Sequence, residues 1–280
     1  MAKSVVVTGA STGIGEAAAR YLAARGWVVF AGVRRHEDAV RITAERIRPL
    51  ILDVTNDDDL ARARAELENA LPDGLDGLVA NAGIAIPGPL ESLDGTEFRR
   101  QLEVNVVGTH ATIRAFLPLL RKARGRIAIV GSIGGRSAFP FIGAYVTSKF
   151  ALEGYADALR LELIPSGVSV SLLEPGSIAT PIWTKGRDEY AARLAALTPE
   201  QQEAYGTALA RMRGATKDIA QAGLPPERVA ERIEHALTAR SPRARYVIGR
   251  RARVQAVLAR MLSDGAKDRL IARMLGLRRP

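Results

Sequence analysis

Short apolar runs alternate with amphipathic stretches along most of the chain. The runs at 5–8, 27–31, 48–52, 75–80, 126–130 and 168–173 read as strands. Near-continuous apolar strands suit a parallel sheet covered on both faces, since neither face meets water. Between them, 16–25 closes on Gly26 as a helix should, 57–70 starts on three acidic residues, and 96–122 and 144–163 carry helical periodicity. Strands and helices therefore take turns, which predicts an α/β fold with a doubly wound parallel sheet in one domain. Residues 184–213 read as an insertion of short helices, 227–237 as a further helix and 245–248 as a last strand before the C-terminal tail.

Composition changes this picture little, but charge changes it at one place. Hydrophobic residues at 47% and charged residues at 25% are ordinary for a globular chain of 280 residues. There is no cysteine, which removes thiol nucleophiles, thiolate zinc sites and disulfides. The longest stretch without a charged side chain, 77–90, falls short of the ~20 apolar residues needed to cross a bilayer and is broken by Gly and Pro. With no signal-peptide core ahead of the first strand, a cytoplasmic protein is expected. The formal net charge is +10, yet residues 240–280 alone hold eleven Arg and one Lys against two Asp. The first 239 residues are thus balanced at zero, and a nucleic-acid-binding core is not expected.

The chemistry begins at the turn Thr8-Gly9-Ala10-Ser11-Thr12-Gly13-Ile14-Gly15, between the first strand and first helix. A doubly wound sheet offers a pyrophosphate the N-terminus of a helix at this place, and glycines let the backbone approach the phosphates. After the second strand comes Arg34-Arg35. Two guanidiniums there suit the 2′-phosphate of NADP(H), whereas a carboxylate would chelate the ribose hydroxyls of NAD(H). Alternatively the arginines are a solvated pair and Glu37 turns toward the ribose, so NAD(H) is not excluded.

Tyr145 and Lys149 lie four apart at the start of a predicted helix, which puts them on one face. A phenol with a pKa of about 10 is a poor acid near neutrality, and a neighbouring ammonium is expected to lower it toward the working range. Ser132 follows the fifth strand at the carboxyl edge of the sheet, where its hydroxyl can hold a substrate oxygen. Asn105 sits inside the long helical stretch as a mediocre helix former, which predicts a kink there.

With these residues in order, the chain resembles a short-chain dehydrogenase/reductase of the classical type. The matching pieces run from Val5 to Thr180: the glycine turn, Asp53 after the third strand, Asn81-Ala82-Gly83 after the fourth, Asn105, Ser132, Tyr145 with Lys149, and Pro175-Gly176 followed by Thr180. Ala80 departs from a position where the family often has Asn. The resemblance implies a Rossmann-type fold, with residues 1–249 as catalytic domain, a helical substrate lid at about 181–225, and 250–280 as a basic amphipathic extension. It implies Tyr145 as general acid/base, Lys149 on the nicotinamide ribose, Ser132 orienting the substrate oxygen and Asn105 supporting the proton relay. For the cofactor it implies Gly9, Ser11, Thr12, Gly13, Ile14 and Gly15 at the phosphates and Arg34 and Arg35 at the 2′ position. Asp53 and Val54 would touch adenine, Asn81 to Gly83 would line the cofactor, and Pro175, Gly176, Ile178 and Thr180 would bracket the nicotinamide. No metal is required.

The reaction expected is hydride exchange between the nicotinamide and a secondary alcohol or ketone. Pro181, Ile182, Trp183, Tyr190, Leu194, Leu197, Tyr205, Leu209 and Met212, with Phe139 to Ile142, predict an apolar substrate pocket. The segment from Tyr145 to Thr180, the last strand Arg245-Tyr246-Val247-Ile248-Gly249 and the tail together most resemble the steroid and retinol dehydrogenase-like branch, hence a steroid, retinoid or hydroxy-lipid substrate. Val254, Val257, Leu258, Met261 and Leu262 form a stripe beside Arg250, Arg251, Arg253 and Arg260, and Leu270, Ile271, Met274 and Leu275 repeat it. The stripe can dock on its own chain, on a second copy in a homodimer or homotetramer, or peripherally on an anionic membrane. The other reading is a non-catalytic NADP(H) redox sensor, which would keep its function without the Tyr145 hydroxyl.

Overall fold

The computed structural model describes residues 2–182, 191–192 and 195–277, with the backbone alone at 213 and 215–222. Seven parallel strands form one sheet: β1 Ser4–Val7, β2 Val28–Val33, β3 Ile47–Ile51, β4 Gly77–Ala80, β5 Arg126–Val130, β6 Ser169–Pro175 and β7 Arg245–Ile248. Their spatial order is β3-β2-β1-β4-β5-β6-β7. The chain leaves β1 in one direction to build β2 and β3, then returns to build the rest. The order therefore reverses between β1 and β4, and a crevice opens there at the carboxyl ends of the strands.

Alternation along each strand sends side chains to two separate cores. Val5 and Val7 pack beneath α1 (Gly13–Ala23) and α8 (Glu227–Thr238), while Val6 faces the other way, under α3 (Asp57–Ala70), α5 (Gly108–Ala123) and α6 (Gly143–Glu162). Ala128 and Val130 join the first core, Ile127 and Ile129 the second. A sheet covered on both faces explains why its strands read as apolar runs rather than alternating ones.

Three elements differ from the pattern in the sequence. The stretch expected as one helix at 96–122 is α4 (Gly95–Leu102), a wide π turn at Glu103–Val107 carrying Asn105, and α5. The short helix α2 (His36–Ile42) was not expected; with only Ala39 and Ile42 buried and no side-chain cap, it has too little periodicity to be legible. In place of short helices at 184–213, the described part of the insertion is dominated by one helix, α7 (Pro199–Ala222). Residues 183–190 and 193–194, with the expected pocket residues Trp183, Tyr190 and Leu194, lie outside the described residues.

The tail forms two helices, α9 (Arg250–Met261) and α10 (Asp264–Leu275). Leu275 of α10 is buried in a third, small cluster with Phe141, Leu197, Ala208 and Leu209, and Tyr205, Met212 and Ile271 pack against it. One end of the tail thus docks on its own chain, over α7. On α9, Val254, Val257, Leu258 and Met261 stay exposed.

Candidate active site

The glycine turn is fixed by its neighbours in space. Gly9 has φ +63°, a backbone region that favours glycine, and a Cβ there would stand 2.9 Å from Ala82 Cα. Gly15 lies under the turn, where a Cβ would come within 2.6 Å of Asn81 Nδ2 and collide with the Gly9 carbonyl. Asn81 Nδ2 in turn donates to Thr8 O at 2.9 Å, and the backbone N–H groups of Asn81 and Ala82 both donate to Thr8 Oγ1 at 3.0 Å. The loops after β1 and β4 are thereby locked together at the reversal of strand order.

A cleft of about 1140 Å³ runs from this turn to Tyr145. The expected cofactor residues line it, except Gly15, and so do Ser132, Tyr145 and Lys149. Asn105 lies behind the wall. Arg34 and Arg35 are exposed at the adenosine end. The carboxylate beside them is Asp38 rather than Glu37. Arg41 holds it there: its guanidinium pairs with Asp38 at 3.1 Å and Glu16 at 3.3 Å and donates to the Ser11 carbonyl. Arg41 belongs to the unpredicted α2, so sequence spacing gave no hint of it. A floor that admits no Cβ and an end carrying two guanidiniums fit a dinucleotide with a 2′-phosphate.

At the other end, α6 presents Tyr145 and Lys149 on successive turns, 9% and 6% exposed. The Ser132 hydroxyl accepts from Gly134 N at 3.0 Å and hydrogen-bonds the Tyr145 side chain. Lys149 Nζ donates to Val130 O at 2.9 Å and sits 5.6 Å from the centre of the Tyr145 ring. Burial pushes the Tyr145 phenol above its ordinary value, and the bond to Ser132 pulls it back only in part. This corrects the expectation that Lys149 lowers it: within the protein's own groups desolvation dominates, and burial brings Lys149 itself down to about 8.

Asn105 is 1% exposed in the π turn. Its amide accepts from Ile84 N at 2.8 Å and donates to Ile84 O at 3.0 Å and to Ser148 Oγ at 2.9 Å. Ser148 Oγ donates to Tyr145 O at 2.6 Å, so Asn105 braces the helix of Tyr145 from behind. Gln101, fully buried one turn earlier, repeats the clasp by accepting from Ile86 N and donating to Ile84 O, each at 2.8 Å. Ser148 and Gln101 were missed in the sequence, although the four-residue spacing of Gln101 and Asn105 was a usable signal.

The apolar pocket needs correction. Among the described residues, Pro181 and Ile182 line the cleft, whereas Phe141, Leu197 and Leu209 are buried in the small cluster under the tail and Tyr205 and Met212 pack on it. Those side chains satisfy one another before they can form a wall.

Comparison with known proteins agrees with this geometry. The sequence profile of the short chain dehydrogenase family matches residues 3–191. An NADPH-dependent 3-dehydrocapnine reductase of Ornithobacterium rhinotracheale is 36% identical over 252 residues, 87% of each chain. Human retinol dehydrogenase 16 is 36% identical over 263 residues, 88% of this chain and 80% of its own. A short chain dehydrogenase from Burkholderia cenocepacia, solved in complex with NADP, superposes with a TM-score of 0.75 at 26% identity, covering 96% of this chain and 97% of that one. Profile, relatives and fold together establish that the chain belongs to the short-chain dehydrogenase/reductase family, near its retinol dehydrogenase-like branch, and is an oxidoreductase acting on CH–OH groups.

Proposed function

We propose that the protein is an NADP(H)-dependent reductase or dehydrogenase for a bulky, apolar secondary alcohol or ketone of the steroid, retinoid or hydroxy-lipid kind. The observation that carries this reading is the convergence of the Tyr145 and Ser132 hydroxyls and the Lys149 ammonium in one cleft with the glycine turn and the Arg34-Arg35 pair. The NADPH-dependent reductase among the relatives and the NADP-bound structural neighbour support the choice of nucleotide, and retinol dehydrogenase 16 supports the substrate class.

NADP(H), when bound, supplies or accepts the hydride. Backbone amides of the glycine turn would hold its pyrophosphate, Arg34 and Arg35 its 2′-phosphate, and Asp53 and Val54 would flank the adenine. Asn81 to Gly83, Pro175, Gly176, Ile178 and Thr180 would enclose the remainder, with Lys149 on the ribose. Ser132 then holds the substrate oxygen while Tyr145 gives that oxygen a proton during reduction and takes it back during oxidation. Asn105 supports the relay through Ser148 and the backbone of Tyr145. All four catalytic positions, Asn105, Ser132, Tyr145 and Lys149, are filled, which favours the enzyme over a sensor without turnover.

In this reading residues 1–249 are the catalytic domain, about 181–225 its lid and 250–280 a basic extension. The exposed stripe of α9 is the surface on which a homodimer, a homotetramer or peripheral contact with an anionic membrane would draw. Among the described residues no helix is long and apolar enough to cross a membrane. The test is nucleotide oxidation against steroid, retinoid and short-chain ketones, with NADPH and NADH in parallel. Turnover of the apolar ketones with NADPH is expected; a wide preference for NADH, or activity confined to the short ketones, would overturn the corresponding half of the assignment.

A further inference from the structure

β6 ends on Glu174 and Pro175, directly before Gly176 in the cleft wall. The Glu174 side chain is 0% exposed, unusual for a carboxylate outside the reaction centre. Arg136 Nη2 donates to Glu174 Oε1 at 2.7 Å, and Arg245 Nε stands 3.3 Å from the same oxygen. Arg136 closes the turn that Ser132 opens. Arg245, on β7, also donates to Glu153 Oε2 at 3.0 Å and Asp157 Oδ2 at 2.6 Å. Glu153 is one turn beyond Lys149 on α6, and Gly135 packs so closely there that a Cβ would lie 2.8 Å from Lys149 O. The Ser132 turn, the helix of Tyr145 and Lys149, and the strand end that enters the cleft each place a charged side chain in one cluster.

Two oxygens in that cluster are buried without a donor, Glu153 Oε1 and Glu174 Oε2. They belong to carboxyl groups that interact with each other. A proton held by Glu174 gives that cluster a donor, whereas two bare carboxylates interacting there repel. We propose that Glu174 is a positioning residue: through its pair with Arg136 and the proton it holds beside Glu153 it sets how the Ser132 turn and the catalytic helix sit against Pro175 and Gly176, so that binding of the nicotinamide half of NADP(H) weakens when the proton leaves.

The charged groups facing the pair are Arg136 from the turn after β5, Asp157 from α6, Arg245 from β7 and Arg260 from α9 at the rim. Burial, reinforced by Glu153, raises Glu174 to about 7 against the pull of Arg136. Loss of the proton therefore falls near neutral pH, and Arg136 and Arg245 are left to hold two carboxylates together.

The inference rests on the NADP(H) reading, and the test separates the two. NADPH fluorescence titrations from about pH 6 to about pH 8.5 measure affinity for the whole nucleotide, and adenosine 2′,5′-bisphosphate, which lacks the nicotinamide, serves as control. For the wild type, affinity for NADPH is expected to fall about fivefold or more beyond any change in the control, the lower range of typical site-to-site coupling. Glu174→Gln keeps a permanent amide donor toward Glu153 and should show a clearly smaller pH dependence of NADPH affinity than the wild type, the remainder coming from Lys149 at about 8. Glu153→Gln should do the same and stands in if the first variant does not fold. A pH dependence in these variants equal to that of the wild type, or none in the wild type beyond the control, overturns the proposal. Failure of both ligands to bind the wild type overturns the NADP(H) reading instead.

Discussion

The two ends of the molecule are held by different means. Around the glycine turn, position is set by backbone contacts: Gly9 against Ala82, Thr8 O against the Asn81 amide, Gly15 against its own turn. Around α7, position is set by a few side chains from distant segments, namely Phe141, Leu197 and Leu209, and Leu275 at the end of the tail. The first arrangement tolerates almost no substitution and almost no movement. The second can repack, since a small satellite cluster of apolar side chains has few partners to constrain it. Nucleotide binding and substrate binding should therefore respond to different mutations.

The sharpest break between the ends comes from the reacting group itself. Tyr145→Phe is expected to lower turnover about 10³-fold, within the usual range for a positioned acid, while NADPH affinity stays within about twofold. Single-turnover oxidation of NADPH and a fluorescence titration on the same sample would check both, and activity within about tenfold of the wild type would remove Tyr145 from its role. Next in size is the stability of the buried ammonium. Lys149 lies at about 8 in the folded chain against 10.5 when exposed, so between those values the unfolded chain binds more protons. Stability then rises with pH across that window, and the full cost of burial is present below it. Lys149→Met should raise stability by about 2 kcal/mol at neutral pH, after loss of the bond to Val130 O, and should flatten the rise at alkaline pH. Urea unfolding at both pH values reads this; a variant less stable than the wild type would show that the hydrogen bond outweighs desolvation.

What could be read from the sequence follows the same division. The strands were legible because burial on both faces makes them apolar throughout, and the cleft residues because glycine, Tyr-x-x-x-Lys and Asn-Ala-Gly each answer a local demand. Asn105 was legible as a poor helix former, and the π turn is the distortion it occupies. Arg41 and Glu174 were not, because their importance lies in partners such as Ser11, 30 residues away, and Arg136, 38 residues away. The pocket wall expected from Phe141, Leu197 and Leu209 was misread for a related reason. Apolar periodicity in Leu197, Leu209 and Leu275 shows that these residues are covered, but not whether a substrate or another helix covers them.

The adenosine end offers a smaller effect in the same comparison. Replacing Arg34 and Arg35 together by Ala should reduce the preference for NADPH over NADH at least about tenfold, as expected when charge-assisted hydrogen bonds to a phosphate are lost. Because both side chains are exposed, the wild-type preference should itself shrink as salt is added. An unchanged ratio would mean that Arg41 and the turn amides carry the phosphate, and that Asp38 and the arginine pair are bystanders.

The smallest effect tests the other end. Leu275 is 7% exposed, and truncating a buried Leu to Ala in a full core costs about 2–5 kcal/mol. In a cluster of this size, most of whose members come from α7 and the tail, the loss should stay local, loosening α10 from α7 without unfolding the sheet. Leu275→Ala is therefore expected to raise KM for an apolar ketone about threefold, leaving kcat and NADPH affinity unchanged. The same substitution at Leu173, fully buried in the main core, should instead lower stability globally. Parallel measurements of KM, nucleotide affinity and urea midpoint on the two variants would separate them. If Leu275→Ala weakened nucleotide binding as much as substrate binding, the ends would not be independent, and the tail would have to be counted as part of the nucleotide site.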